Sequence, residues 1–566
     1  MSARTLALLP FCTALLLWFA QPPLAIWPVA FIALVPLIVV AQRADKLTRR
    51  DCLLIWCAGS IYWLVTLEGL RHAHPAMYAC WIALSDYLAI YFVLFVLILR
   101  RLTVYGVPSW ISIPSVWVGL ECVRNYLLSG ISAAMLGHTM ADVPVMTQVA
   151  DLFGSYGVSF VVALVNTAFV LLWNVYRRQA TYAQVRVPLV VAGAVVGGTI
   201  AYGIFRLSED ANDSDPTPLA TFALIQRNEA VDYAQDVHRE IEIAENFAEQ
   251  SVKAAVQAKE SAQTIDAVVW PESTFTSGVP WYFAEDNAKI PATIPLSREE
   301  FDSMILQGQE TFLRRAFQVQ EAVRSTGDFE KQPHLIVGTA IFRYAQRPFI
   351  HSGIAHVAPS QRIGDHYKRP ELADWYAKTH LVLFGEYVPF AGTLQRFGIM
   401  LPRVDVGPGP KHMVVNETVV SPNICIETAV ERVTVNQVAE LRSEDHTPDV
   451  IVTVTNDGWF DDSSIPEHHL RCAQLVGVSI RRPILSAANN GPTAWIDSSG
   501  RVVERLAQGT NGSIIATPQR DARISLYLRI GDWPARLLAL LCAVVIVELA
   551  VSGWRNRRTQ RDASEA

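Results

Sequence analysis

Charge is scarce in this 566-residue chain, and it is unevenly spread. Only 18% of the residues are Asp, Glu, Lys or Arg, against 51% hydrophobic. Between Leu6 and Gln42 there is no charged residue at all. Such a chain is too apolar for a purely soluble enzyme and too charged for a pure helix bundle. The net charge of −6 gives no reason to expect a nucleic-acid partner. Cysteine is scarce where disulfides would form. Of eight cysteines, only Cys425 and Cys472 fall in the charged stretch from Glu209 to Asp532, so one bridge at most is available there. Metal-ligand spacing is absent. His468 and His469 are adjacent and would point about 100° apart on a helix, so neither a metal nor a cofactor is expected. No internal repeat or low-complexity tract stands out.

What the chain has in quantity is apolar runs. The first follows Arg4, but no small-residue cleavage site closes it, and a second run begins directly after Pro22-Pro23. It is therefore expected to be a retained helix rather than a signal peptide. Further runs occur at about Leu53–Thr66, Trp81–Leu99, Val107–Leu120, Val158–Val175, Val187–Phe205 and Leu537–Val551. Several fall short of the roughly 20 residues that span a bilayer, so their ends must extend into polar flanks. The expectation is about eight transmembrane helices. Seven lie in a membrane domain over residues 1–207, and one at residues 534–553 precedes a basic tail, 554–566.

Basic residues set the orientation. Arg43, Lys46, Arg49 and Arg50 share one loop, Arg100 and Arg101 another, and Arg177, Arg178 and Arg186 a third. Arg555, Arg557, Arg558 and Arg561 close the chain. With eight helices, all four clusters fall on one side. The opposite loops hold Arg71 and, between Leu127 and Tyr156, no basic residue. Both termini are thus expected in the cytoplasm, with the middle of the chain outside. In a cell with an outer membrane this means the inner membrane, with that domain in the periplasm.

The middle, residues 218–525, holds short β-rich runs: Phe222–Ile225, Ala267–Trp270, Leu335–Thr339, Ile354–Val357, Val419–Ile424 and Asp449–Thr455. Ile484–Ala488 and Thr493–Ile496 follow, and Asp497–Gly500 is a turn before Val502-Val503. Helical stretches over Ala234–Gln263 and Ser297–Ser325 intervene. Alternating strands and helices predict an α/β sandwich with its sites at strand ends.

Three reactive side chains follow such runs. Glu272 closes Trp270-Pro271-Glu272, Cys425 lies in Asn423-Ile-Cys-Ile-Glu427, and Lys378 stands eight residues before Glu386. A thiolate at a strand end can attack an ester carbonyl and hold the acyl group as a thioester. A free thiol near pKa ~8.5 needs a base or cation to do so. A carboxylate beside apolar groups has the raised pKa that proton transfer near neutrality requires. A lysine can stabilise the oxyanion that forms. Each has a plainer reading: a core cysteine, a loop or cap acid, a solvated lysine. For the lysine there is also a rival, Lys368. On a membrane anchor, such a Glu-Lys-Cys site points to lipid as the acyl source.

The same motifs, taken in order, resemble the bacterial apolipoprotein N-acyltransferases, a membrane branch of the nitrilase (carbon–nitrogen hydrolase) superfamily. The likeness begins with Pro22-Pro23, Gly59 with Tyr62-Trp63, and Glu121 with Arg124. It continues through Gln148–Asp151, Gly154, Gly157–Phe160 and Asn166. Gln226, Asn228, Trp270–Glu272, Phe384–Pro389, Cys425–Glu427, Asn456-Asp457 with Trp459-Phe460, Arg482-Pro483, Asn489–Gly491 and Gly531–Pro534 complete it. The resemblance implies an α-β-β-α nitrilase-like domain beside the membrane helices. It implies Glu272, Lys378 and Cys425 as base, oxyanion donor and nucleophile. Its spacing to Phe384-Gly-Glu386 selects Lys378 over Lys368 across an apparent insertion at about Arg369–Trp375. Glu386 and Glu427 would orient Lys378 and shape the pocket, while Asn456 and Trp459 would support substrate.

Departures from the family pattern concern Ile426, Leu383, Val476, Gly477, Ser479, Ser486 and a missing tryptophan near Tyr233. They leave room for a paralogue with another acceptor. The implied reaction moves an acyl chain from a phospholipid to Cys425, then to the α-amine of a diacylglyceryl-cysteine apolipoprotein. The alternatives are a membrane-tethered amidase or hydrolase, and a transporter or receptor with a dead outer domain. Asp86 and Glu548, inside apolar runs, are the only hint of transport, and pairing between helices explains them more simply.

The orientation is open to a direct check. An alkaline-phosphatase fusion after Ser297 should be active in a diderm bacterium, and one after Arg561 inactive. The reverse pattern would end the periplasmic assignment.

Overall fold

The short apolar runs are continuous rather than alternating, which requires a strand to bury both faces, and the central strands at Phe222–Gln226, Ala267–Trp270 and Val450–Thr455 are buried throughout. The computed structural model describes residues 3–211, 217–231, 237–276, 279–363, 366–383, 385–387 and 404–565. Phe384, Val388 and Pro389 of one family motif, Tyr233, and the start of the expected Ala234–Gln263 helix lie outside them. The chain forms two compact units, one of 1–212 with 463–479 and 525–566, the other of 213–462 with 480–524.

The second unit holds two large sheets. Strands β1 (Phe222–Gln226), β2 (Ala267–Trp270), β3 (Trp281–Ala284), β4 (His334–Tyr344), β5 (Pro348–Val357), β8 (Leu372–Ala377) and β15 (Gly512–Ala516) form the first, in the order β15-β1-β2-β4-β5-β8, with β3 also on β4. Between β5 and β8 a small hairpin pairs β6 (Arg362–Ile363) with β7 (His366–Tyr367). The other sheet runs β14-β13-β12-β11-β10-β9, from β9 (Met413–Val415), β10 (Thr418–Ile424), β11 (Val450–Thr455), β12 (Ile484–Ala488), β13 (Ala494–Ile496) and β14 (Val502–Arg505). Each sheet has a parallel centre, β1-β2-β4 in one and β10-β11-β12 in the other.

Side-chain parity sorts the layers. Phe222, Leu224, Ala267 and Val269 share one core with Val420, Ile424, Val452 and Val454 of the opposite sheet. Ala223, Ile225, Val268 and Trp270 face the other way, into a core with Phe247, Ala254, Phe312 and Val323 of helices Val237–Glu260 and Arg298–Gly327. Ser297 and Glu300 form a capping box at the start of the second helix. Helix Glu431–Ser443 backs the other sheet, where Gln437 donates to the Pro422 carbonyl and Thr434 accepts from Asn423. The result is a helix–sheet–sheet–helix sandwich. Sequence patterning finds the other strands, though β4 and β5 each run six residues longer than expected, and misses β3, β6, β7, β8, β9, β15 and helix Glu431–Ser443.

The first unit is helical. Among the described residues, four of its helices are long and apolar enough to cross a membrane: Met77–Val104, Ala150–Tyr176, Tyr182–Glu209 and Trp533–Arg555. The expected count of about eight is higher, and composition explains the gap. Helix Arg49–Thr66 opens on Arg49, Arg50 and Asp51, and helix Ser109–Tyr126 carries Pro114, Glu121 and Arg124 over the same 18 residues. The run after Pro22-Pro23 is split into a 3-10 turn, Trp27–Phe31, and a seven-residue helix, Val35–Ala41. Buried Asn166 satisfies that broken backbone. Its amide accepts from Leu34 N at 2.8 Å and donates to the Ala30 carbonyl at 2.8 Å. Asp86 accepts from Ser60 at 2.7 Å and Glu548 pairs with Arg101, so both intramembrane acids have local partners. Residues 463–479, with Cys472, count with this unit by their contacts, and Cys425 is the one cysteine of the other unit. Among the described residues, which include all eight cysteines, there is no disulfide.

Candidate active site

The two sheets bring three chain positions together just beyond strand ends. Glu272 lies two residues past β2, Lys378 one past β8, and Cys425 one past β10. β2 and β8 run in the same direction, since each lies an even number of antiparallel steps from the other. Their carboxyl ends therefore meet on one edge of the sheet.

Lys378 is fully buried, its side chain 2% exposed. Its Nζ donates to Glu386 Oε1 at 2.7 Å and to Glu272 Oε1 at 3.2 Å. Burial works against the ammonium, but the charges of Glu272, Glu386 and Cys425 more than offset it and hold its pKa well above the usual lysine range. Burial is also the leading influence on Glu272, whose pKa it raises against the pull of Lys378. Ser352 Oγ donates to the same Glu272 Oε1 at 2.9 Å.

Backbone contacts fix these groups before any side chain acts. Lys378 N donates to the Ser352 carbonyl at 2.9 Å, and the Lys378 carbonyl accepts from Gly407 N at 2.8 Å. A Cβ at Gly407 would stand 2.1 Å from the Ala377 carbonyl oxygen, so only glycine allows that approach. A Cβ at Gly338 would lie 2.3 Å from the Pro271 carbonyl oxygen and 2.5 Å from Glu272 Cα. β4 thus presses directly on the segment that carries Glu272. None of these three supports, Ser352, Gly338 and Gly407, has a signal in the sequence beyond strand parity or a lone glycine.

Cys425 ends β10 on a turn with φ 49° and ψ −112°, a left-handed conformation that costs a non-glycine residue energy. Its amide stays in the ladder, donating to the Val454 carbonyl at 2.9 Å. The residue is only half-buried, yet its sulfur is enclosed enough that burial pushes the thiol pKa up. Lys378 pulls it down, while Glu272 and Asp457 raise it further. A thiol of raised pKa thus stands beside a buried lysine of raised pKa and a buried carboxylate.

Glu427 acts on Lys378 through the backbone beside it rather than by direct contact. Its Oε1 accepts from Tyr376 OH at 2.8 Å, Thr379 N at 2.6 Å, Thr379 Oγ1 at 2.7 Å and His380 N at 3.2 Å. Its Oε2 accepts from Ile424 N at 2.7 Å. One carboxylate thereby fastens the end of β8 in one sheet to the end of β10 in the other, placing Lys378 opposite Cys425. Asn456 has an occupied amide as well: its Oδ1 accepts from Asn489 Nδ2 at 3.0 Å, and Asn489 Nδ2 also reaches the Glu229 carbonyl at 2.7 Å. Trp459 sits half-buried on the short turn Asp457–Phe460 after β11. The rival Lys368 is on the surface, paired with Glu371 at 3.0 Å. The apparent insertion at Arg369–Trp375 is mostly strand β8 itself.

A buried carboxylate, a buried lysine and a half-open thiol at converging strand ends define an acyl-transfer enzyme on a nitrilase-type fold. Comparison with known proteins agrees in both halves. The family model for the apolipoprotein N-acyltransferase N-terminal domain matches residues 13–168, and that for carbon-nitrogen hydrolase matches residues 223–526. An apolipoprotein N-acyltransferase of Rhodopirellula baltica is 43% identical over 577 residues, covering 97% of this chain and 97% of that one. Another, of Geobacter metallireducens, is 29% identical over 97% of this chain and 95% of its own. An amidase of the nitrilase superfamily from Nesterenkonia AN1 superposes with a TM-score of 0.31 at 14% identity, over 55% of this chain and 93% of its own, too loosely to carry an argument. This chain belongs to the apolipoprotein N-acyltransferase family and is an acyltransferase.

Two substitutions test the geometry. Lys378→Arg keeps the charge but replaces a compact ammonium with a planar fork in a closed space. It should lower acyl transfer on the order of 10²-fold or more, the scale of losing one oxyanion donor. Lys368→Arg should leave the rate unchanged. Glu427→Gln must turn an NH₂ toward a backbone N–H, whichever way the amide faces. It should therefore destabilise by about 1–3 kcal/mol, the cost of a buried donor left unpaired. Thermal unfolding of the purified protein measures this, and an unchanged midpoint would dismiss the bridging role.

Proposed function

We propose that this enzyme transfers a fatty acyl chain from a membrane phospholipid to the α-amine of a diacylglyceryl-cysteine apolipoprotein, through a thioester on Cys425. The observation that carries the reading is the joint placement of Glu272, Lys378 and Cys425, with Lys378 held between Glu272 and Glu386. Family membership supplies the acceptor class. The four long apolar helices of the first unit make a bilayer-borne donor the natural one.

Each step balances. Glu272 takes the thiol proton as Sγ attacks the ester carbonyl, and Lys378 meets the oxyanion of the tetrahedral intermediate. Collapse breaks the ester C–O bond. The lysophospholipid leaves with the proton returned by Glu272. The lipoprotein amine then attacks the thioester carbonyl, Glu272 accepts its proton, and the C–S bond breaks. The amide departs and the thiol is regenerated. With a neutral thiol at rest, removal of its proton is coupled to attack, which suits a base of raised pKa.

The remaining elements of the reading concern placement. The enzyme lies in the inner membrane with about eight passes, both termini in the cytoplasm and a periplasmic catalytic domain at about residues 218–525. The membrane domain would span residues 1–207, with a last helix at 534–553 and a basic tail at 554–566.

Mass spectrometry tests the chemistry. Protein incubated with phospholipid should gain one acyl mass on Cys425, labile to hydroxylamine, and a diacylated lipopeptide should discharge it onto its amine. Cys425→Ser and Glu272→Gln should each abolish the adduct. Rapid release of free fatty acid without the peptide would instead mark a hydrolase. Absence of any adduct in active membranes would mark a scaffold.

A further inference from the structure

Glu272 Oε1 accepts two hydrogen bonds, from Ser352 Oγ at 2.9 Å and from Lys378 Nζ at 3.2 Å. Among the described residues, none donates to Oε2. The two carboxylate oxygens are therefore distinct before substrate arrives. One is saturated by the protein and the other is free to hold a proton.

Ser352 is built into the same site from both ends. It lies on β5, opposite Ala340 of β4. Its carbonyl accepts from Lys378 N at 2.9 Å, while its hydroxyl holds Glu272. Its neighbour Gly353 pairs with Ala377, so Lys378 continues the β5–β8 ladder by one residue onto Ser352. A single strand residue thus fixes the lysine by its main chain and the carboxylate by its side chain.

We infer that Ser352 is a positioning residue for acyl transfer, which dedicates Glu272 Oε1 to structure and leaves Oε2 as the atom that exchanges the proton with thiol and amine. This rests on the reading of Glu272 as the base. Without the hydroxyl, the carboxylate is free to turn about its last torsion. Lys378 can then draw either oxygen, and the base loses a fixed direction. A second effect follows from charge. The groups facing Glu272 are the Lys378 ammonium from β8, the Glu386 carboxylate from the following loop and the Cys425 thiol from β10. Ser352 adds a donor that favours the ionised carboxylate, opposing burial and Glu386. Its loss raises the pKa of Glu272. Since the base works ionised, the acid limb of the pH–rate profile moves to higher pH.

The test is single-turnover acylation of the full-length protein in detergent or nanodiscs, with phospholipid alone, from pH 5 to pH 9. Ser352→Ala should slow acylation about tenfold at neutral pH and move the acid limb up by about one pH unit, the scale of one hydrogen bond to a charged group. Ser352→Thr, which retains the hydroxyl, should keep the limb at its original position. A Ser352→Ala profile lowered evenly, with the limb unmoved, would reduce Ser352 to a packing residue and overturn the inference. So would a limb displaced equally by Ser352→Thr. Acyl-enzyme formation by Glu272→Gln would instead overturn the base assignment itself, whatever Ser352 does.

Discussion

The catalytic unit is organised around one buried positive charge. Taking a lysine ammonium out of water costs several kcal/mol, and only well-placed carboxylates offset it. Lys378 has two, Glu272 and Glu386, and they impose conditions on the rest of the fold. Glu272 must arrive from the end of β2 and Glu386 from the loop after β8, and both must turn inward. Two carboxylates against one ammonium leave the cluster with an excess negative charge. Burial raises the pKa of the neighbouring Cys425 thiol, Lys378 pulls it down, and Glu272 and Asp457 push it up again, so the charges that hold the lysine also act on the thiol. Ion-pair geometry and nucleophile state are thus one constraint.

A second carboxylate does for the backbone what the ion pairs do for the side chains. Glu427 gathers donors from Tyr376, Thr379 and His380 on one sheet and Ile424 on the other. The core between the two sheets is mostly apolar, and such contacts are non-directional and tolerate small slides. Five directed hydrogen bonds to one residue remove that freedom at the place where, in the proposed reaction, a fraction of an ångström decides whether Lys378 faces the carbonyl attacked by Cys425. The same logic accounts for the strained turn at Cys425, whose amide is pinned to Val454 while Glu427 holds the preceding residue.

How far the sequence discloses this depends on whether a feature is local. Strand ends with Glu272 and Cys425 are local, because each follows an apolar run of clear parity. The long helices are local too, by a capping box at Ser297 and by hydrophobic length. β8 is hidden because Leu372–Ala377 mixes Asp374 and two aromatics at the edge of its sheet, and so resembles an insertion. The task of Glu427 is hidden because its partners lie about 50 residues away and include main-chain N–H groups that no residue type advertises. The count of membrane passes is hidden for a different reason. Apolar runs are read from the sequence without regard to where a helix breaks or carries charge, whereas the helix with Glu121 and Arg124 and the broken run after Pro22-Pro23 fall short, leaving four long apolar helices among the described residues rather than about eight.

In the proposed reaction the site must also hold a thioester until the amine arrives, and its geometry bears on how. A base that can deprotonate an amine can equally deprotonate water, so the identity of the base cannot separate transferase from hydrolase. The direction of its free oxygen can. With Oε1 occupied by Ser352 and Lys378, only an acceptor that approaches along Oε2 and reaches the thioester carbonyl in line is activated. A bulky lipidated amine anchored in the bilayer is held on that line by its own chains, whereas water samples it only in passing. Selectivity for transfer over hydrolysis then becomes a matter of effective concentration along one direction, set by how rigidly the carboxylate is aimed.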